Sequence, residues 1–158
     1  MLAKRGGSPF APAPGMSAPA DLRDIAAWQL AHLLNLRVDL FLLSPDFKRH
    51  YRRVDQLGDA VRSGPRNIAE GFARDPRAFA DRVRVARGSE AEVLHHLIAA
   101  YDQRLITLDE LQIAERLTRR AMKAANGLIK QLEAADRSSA TPRATRRTRP
   151  RKRAGPTN

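Results

Sequence analysis

Leu22, Ile25, Trp28, His32, Leu36, Leu40 and Leu43 stand at steps of three and four, the spacing that puts residues on one face of an α-helix. Leu30, Leu33, Leu34 and Phe41 widen this stripe, as expected for a bundle helix with two neighbours. Ser44-Pro45 then interrupts it. A second stripe runs Tyr51, Val54, Gly58, Val61, Pro65, Ile68, Phe72, with Arg and Asp between. Asp75-Pro76 reads as an N-cap followed by proline at the first helical position. The helix it opens carries Phe79, Val83, Ala86, Val93, Leu97 and Ala100. Thr107-Leu108-Asp109-Glu110 fits a capping box and opens a fourth helix through Leu111, Thr118, Met122, Ala125, Ile129 and Leu132. No stretch alternates with the period of a strand. The pattern predicts an all-α protein, an antiparallel up-down four-helix bundle.

Two features interrupt that pattern. Gly64-Pro65 lies inside the second stripe, and an internal proline removes a backbone hydrogen bond at a cost of about 3 kcal/mol, so a kink or break is expected. Ser63, Asn67 and Glu70 form a polar stripe beside the apolar one, and Ser89 and Glu92 stand three apart on the next helix. Glu90 falls on the apolar stripe itself. These polar residues read as a hydrogen-bond network that fixes helix register around the proline; the competing reading is a functional site between the two helices.

Composition divides the chain. Residues 1–20 are an Ala/Pro/Gly-rich leader and residues 137–158 an Arg/Thr/Pro/Ser tail; neither has enough to bury to offset the entropy of ordering, so both are expected to be disordered. Met16 is an alternative start. The bundle occupies residues 21–136. All 17 acids and 19 of the 29 bases lie there, and eight further bases follow from Arg137 to Arg153 with no acid among them. A nearly neutral body thus carries a strongly basic tail. The chain has no cysteine, which excludes disulfides, thiolate metal sites and Cys nucleophiles. No apolar run approaches the roughly 18 residues of a spanning helix, so a soluble, cytoplasmic protein is expected, without a membrane partner.

Catalytic templates find little to match. Glu92-Val93-Leu94-His95 is half of a carboxylate-bridged di-metal signature, but no second Glu-x-x-His exists, and adjacent His95 and His96 point to different helix faces. Phosphate loops, nucleophile elbows and dinucleotide fingerprints are missing. The expectation is a non-enzyme with no catalytic, metal or cofactor residues. The basic residues are more informative. Clusters on the third helix (Arg82, Arg84, Arg87) and the fourth (Arg116, Arg119, Arg120, Lys123) read as solvated faces balanced by nearby acids. Lys48, Arg49, Arg52 and Arg53, at the start of the second helix, and tail residues Arg143, Arg146, Arg147, Arg149, Arg151, Lys152 and Arg153 are the candidates for binding nucleic acid. Few aromatics are present, so phosphate contacts are expected rather than base stacking.

Ala27-Trp28-Gln29, Gln56-Leu57 with Ala60, Ser63-Gly64-Pro65-Arg66-Asn67-Ile68-Ala69-Glu70-Gly71, and Ala86-Arg87-Gly88-Ser89 with Glu92 follow one another in order. In these elements residues 21–135 resemble the four-helix-bundle proteins first noticed in intervening sequences of bacterial 23S ribosomal RNA genes. The resemblance implies the bundle fold. Through the related accessory variability proteins of diversity-generating retroelements, it also implies a homopentamer that binds nucleic acid. Gly58-Asp59 stands where the family usually has two basic residues, Gly64 where it has a β-branched or large apolar one, and Glu90 where it has leucine; looser packing is expected near the proline. Two functional classes follow. One is an accessory protein that binds RNA or DNA through backbone phosphates. The other is a structural or protein-interaction bundle whose tail is incidental.

Overall fold

The computed structural model describes residues 19–140. Asp21 opens the described fold as a cap: its carboxylate accepts from Arg23 N, and Asp24 reaches back to the backbone of Asp21 over a 3-10 turn at Leu22–Asp24. Ile25 is extended, so the expected first helix is divided, and α1 proper runs Ala26–Leu42. A short α2, Pro45–Lys48, was not visible in the periodicity; Ser44 caps it by accepting from Phe47 N. Its Phe47 is fully buried and ties the turn to the core. Helix α3 spans Tyr51–Phe72 and α4 spans Pro76–Asp102, the latter capped by Asp75 accepting from Ala78 N. The capping box at Thr107 forms as expected, with Thr107 N donating to Glu110 Oε2 at 2.8 Å and Glu110 N to Thr107 Oγ1 at 3.3 Å. Helix α5 runs Leu108–Ala140, four residues beyond the boundary that composition sets at Asp136.

The four long helices form a ring, α1 on α3, α3 on α4, α4 on α5, and α5 back on α1. Opposed numbering across three of these seams makes successive long helices antiparallel. Arg62 pairs with Asp39 while Gly64 faces Ala31; Ser63 meets Ser89 and Asn67 meets Arg82; Arg84 meets Glu133 while Arg87 meets Asn126. The tight α4–α5 connection is a Schellman-type end, with Leu105 N donating to Ala100 O and Arg104 N to Tyr101 O. Arg104 takes φ 60° there, a position that glycine usually fills.

Pro65 does not break α3, which is helical from Tyr51 to Phe72. Burial of Val61, Gly64, Asn67, Ile68 and Gly71 along one face outweighs the single lost hydrogen bond. Close approach of α3 and α4 depends on Gly71: a Cβ there would stand 3.0 Å from Arg82 Cβ and collide with the Phe79 ring.

The core has two apolar compartments. One gathers Leu34, Val38, Phe41, Phe47, Leu57, Val61, Val93 and Leu97; the other gathers Ile25, Ala31, Ile68, Phe79, Val83, Ala125, Ile129 and Leu132. Gly64, Glu90, Thr118 and Ala121, all buried, belong to neither and lie between them in chain order on their helices. Among the described residues no helix is long and apolar enough to cross a membrane.

Candidate nucleic-acid interface

Lys48 ends α2, and Arg49, His50, Tyr51, Arg52 and Arg53 turn the chain into α3, so the four bases proposed from sequence share one corner. Arg49 is partly neutralised by Asp46, at 2.5 Å. No carboxylate among the described residues ion-pairs with Lys48, Arg52 or Arg53. Arg52 instead lies against Tyr51, its guanidinium carbon 5.9 Å from the ring centroid and its Nε donating to the Tyr51 hydroxyl at 3.2 Å. Arg49, His50, Tyr51, Arg52, Arg53, Gln56 and Gln103 line a cleft of about 430 Å³.

The cluster on α4 has partners, and so does one member of the α5 cluster. Arg82 contacts Glu70 and Asn67; Arg84 holds Asp81 and Glu133; Arg87 donates to Asn126; Arg119 pairs with Glu115. Tail residues Arg143, Arg146, Arg147, Arg149, Arg151, Lys152 and Arg153 lie outside the described residues.

The polar stripe between α3 and α4 is one connected chain for four of its five expected members. Ser89 Oγ lies 2.8 Å from Ser63 Oγ, which accepts from Asn67 Nδ2 at 3.0 Å. Asn67 Nδ2 also donates to Ser63 O, and Asn67 Oδ1 accepts from Arg82. Arg82 reaches on to Glu70 at 3.2 Å. Arg82 is the bridge that sequence spacing missed, because it lies fifteen positions from Asn67 and only the antiparallel turn brings it back. Glu92 stands apart from this chain and faces His96, with Nε2 to Oε1 at 3.7 Å. Burial pulls the His96 imidazole below its usual pKa, a shift Glu92 only partly counters. Glu92 therefore does not share a ligand pair with His95, as the half-signature would require.

The family described as 23S rRNA-intervening sequence protein matches residues 23–138. The chain belongs to that family. No curated protein matches it. The match spans nearly all of the four long helices, and two of the elements that carry the resemblance have visible physical work. Asn-Ile-Ala-Glu-Gly supplies Asn67 and Glu70 to the network, Ile68 to the core, and Gly71 to the α3–α4 approach. The element ending in Glu92 supplies Ser89 to the same network.

Gly64 and Glu90, two of the positions where the resemblance implies another residue, are neighbours. A Cβ at Gly64 would lie 3.6 Å from Ala31 Cβ and 3.8 Å from Glu90 Cγ. Where looser packing was expected, the Glu90 arm occupies the room that a large residue at position 64 would fill, and Glu90 is 2% exposed. Neither carboxylate oxygen has a hydrogen-bond partner. Removal from water pushes its pKa up to about 8, with Arg87 opposing the shift, so the buried carboxyl is protonated at neutral pH.

Proposed function

We propose that this chain is a non-enzymatic, cytoplasmic accessory protein that binds RNA or DNA through backbone phosphates with little regard to sequence. The observation that carries the reading is the distribution of uncompensated charge. Lys48, Arg52 and Arg53, crowded at one corner, are in no ion pair among the described residues, and the seven bases from Arg143 to Arg153 have no acid among them in the sequence. Neutralising phosphates releases condensed counterions, so affinity should fall steeply and linearly on a log–log salt plot. Fluorescence anisotropy with two unrelated duplexes is expected to give equal affinities and equal salt slopes. A strong preference for one sequence, or affinity indifferent to salt, would overturn the reading.

Self-association is a second element of the proposal, favoured by α1. Its Ala27, Ala31, Leu34, Val38 and Phe41 face the core, yet Leu33, Leu36, Leu40 and Leu43, at steps of three, four and three, are 48–63% exposed. This row lies on the side of the helix away from the core, and an exposed leucine ridge on a bundle favours another apolar surface. A second copy would supply one in a closed homo-oligomer, for which the family resemblance favours a pentamer. Light scattering should report a closed oligomer for the natural chain and a shift toward monomer for a Leu36→Glu, Leu40→Glu variant. A 17–18 kDa species for the natural chain at micromolar concentration would exclude this.

A further inference from the structure

Tyr51 is an unusual residue to find in the middle of a basic corner. It is the first residue of α3 and is 64% exposed, so the ring's apolar surface is largely left in water. Its described partner is the Arg52 guanidinium, which lies over the ring and bonds its hydroxyl. Both side chains are on the surface, where such a cation–π contact is weak. The cleft beside them is lined by three arginines and also by Gln56 and Gln103, whose amides can donate and accept hydrogen bonds in one plane. Charge alone would need no ring and no amides. Together they match a nucleotide with its base free of a duplex: a flat π-face, polar base edges and a flanking phosphate.

We propose that the α2–α3 corner is a pocket for an unpaired nucleobase, which stacks on Tyr51 while Arg52, Arg53 and Lys48 hold the adjoining phosphates. The inference rests on the nucleic-acid reading above and deepens it, because it assigns a substrate class: strands with single-stranded segments, bulges or ends. Base–aromatic stacking is stronger than an exposed cation–π contact and tolerates any base, since each has a π-face. A base therefore displaces the guanidinium from the ring and frees it for a phosphate. Low overall aromatic content, which argued against stacking, does not bear on one ring already set among arginines.

The test compares the full chain with Tyr51→Ala and Tyr51→Trp, using a single-stranded RNA 12-mer and a blunt RNA duplex of equal length at matched salt. Tyr51→Ala should weaken single-strand binding about tenfold, leave duplex binding within about twofold, and leave the salt slope unchanged because no phosphate contact is lost. Tyr51→Trp should retain or improve single-strand binding. Circular dichroism melts check that the exposed position does not disturb folding. Single-strand affinity unchanged in a folded Tyr51→Ala, or equal weakening on both nucleic acids, would overturn the pocket while leaving phosphate binding intact. Failure of the full chain to bind either nucleic acid at low salt would overturn both.

Discussion

Glu90→Leu should raise the stability of the bundle at pH 9 by roughly 5 kcal/mol, and Glu90→Gln should abolish most of the protein's loss of stability with rising pH. The sign follows from proton binding. The unfolded carboxyl loses its proton near the ordinary value of 4.5, whereas the buried one keeps it to about 8. Between these values the folded state holds more protons, so stability falls as pH rises. At about 1.4 kcal/mol per pH unit, a window of about three and a half units amounts to roughly 5 kcal/mol once complete above pH 8. Below pH 4.5 the group is protonated in both states and this cost disappears. Leucine removes two unpartnered oxygens and joins the apolar compartments on either side, an exchange that often stabilises. Thermal melts of the three proteins from pH 5 to 9 check this. A Glu90→Gln variant with the same pH slope as the natural chain would show that ionisation of Glu90 is not what loosens the fold at high pH.

Ending the chain at Ala140 should leave folding intact and cut nucleic-acid affinity by about two orders of magnitude at low salt. The cut falls at the end of α5, beyond Leu132, a fully buried side chain, and removes seven bases from Arg143 to Arg153. If about four of them engage phosphates, the log–log slope loses roughly 3.6. Across a fourfold salt range such a component changes affinity about 150-fold. In an oligomer several tails act at once, and the loss deepens because later contacts are intramolecular. Binding isotherms at several salt concentrations decide the matter. Equal affinity and slope for both lengths would move the interface to Lys48, Arg52 and Arg53.

Helix type and most helix ends were legible from residue spacing, because capping and periodicity are local. Asp75-Pro76 and Thr107…Glu110 place the starts of α4 and α5, and the α3 stripe marks its limits at Tyr51 and Phe72. Where local preference competed with burial, sequence reasoning erred. Pro65 predicted a kink or break, and the break does not occur: α3, buried along that side, stays helical from Tyr51 to Phe72. Ile25 sits on the first stripe yet is extended, because Asp21 and Asp24 close their own turn just before it.

The sequence by itself determined the helices and the uneven placement of charge, since periodicity, capping and composition are local, and it named four members of the α3–α4 network, although the link between Ser63 and Ser89 spans 26 positions and is made only by packing. Only the tertiary structure decided which charges are free and which are satisfied. Arg82, Arg84 and Arg87 look like Arg52 and Arg53 in a string of letters, but Arg82 and Arg84 ion-pair with Glu70 on α3 and Glu133 on α5, and Arg87 donates to Asn126. Glu90 stands out in the sequence as an acid on the apolar stripe of its helix, but the stripe alone does not say what surrounds it. Packing sets it beside Gly64, away from water, and that burial pushes its pKa well above the usual carboxylate range.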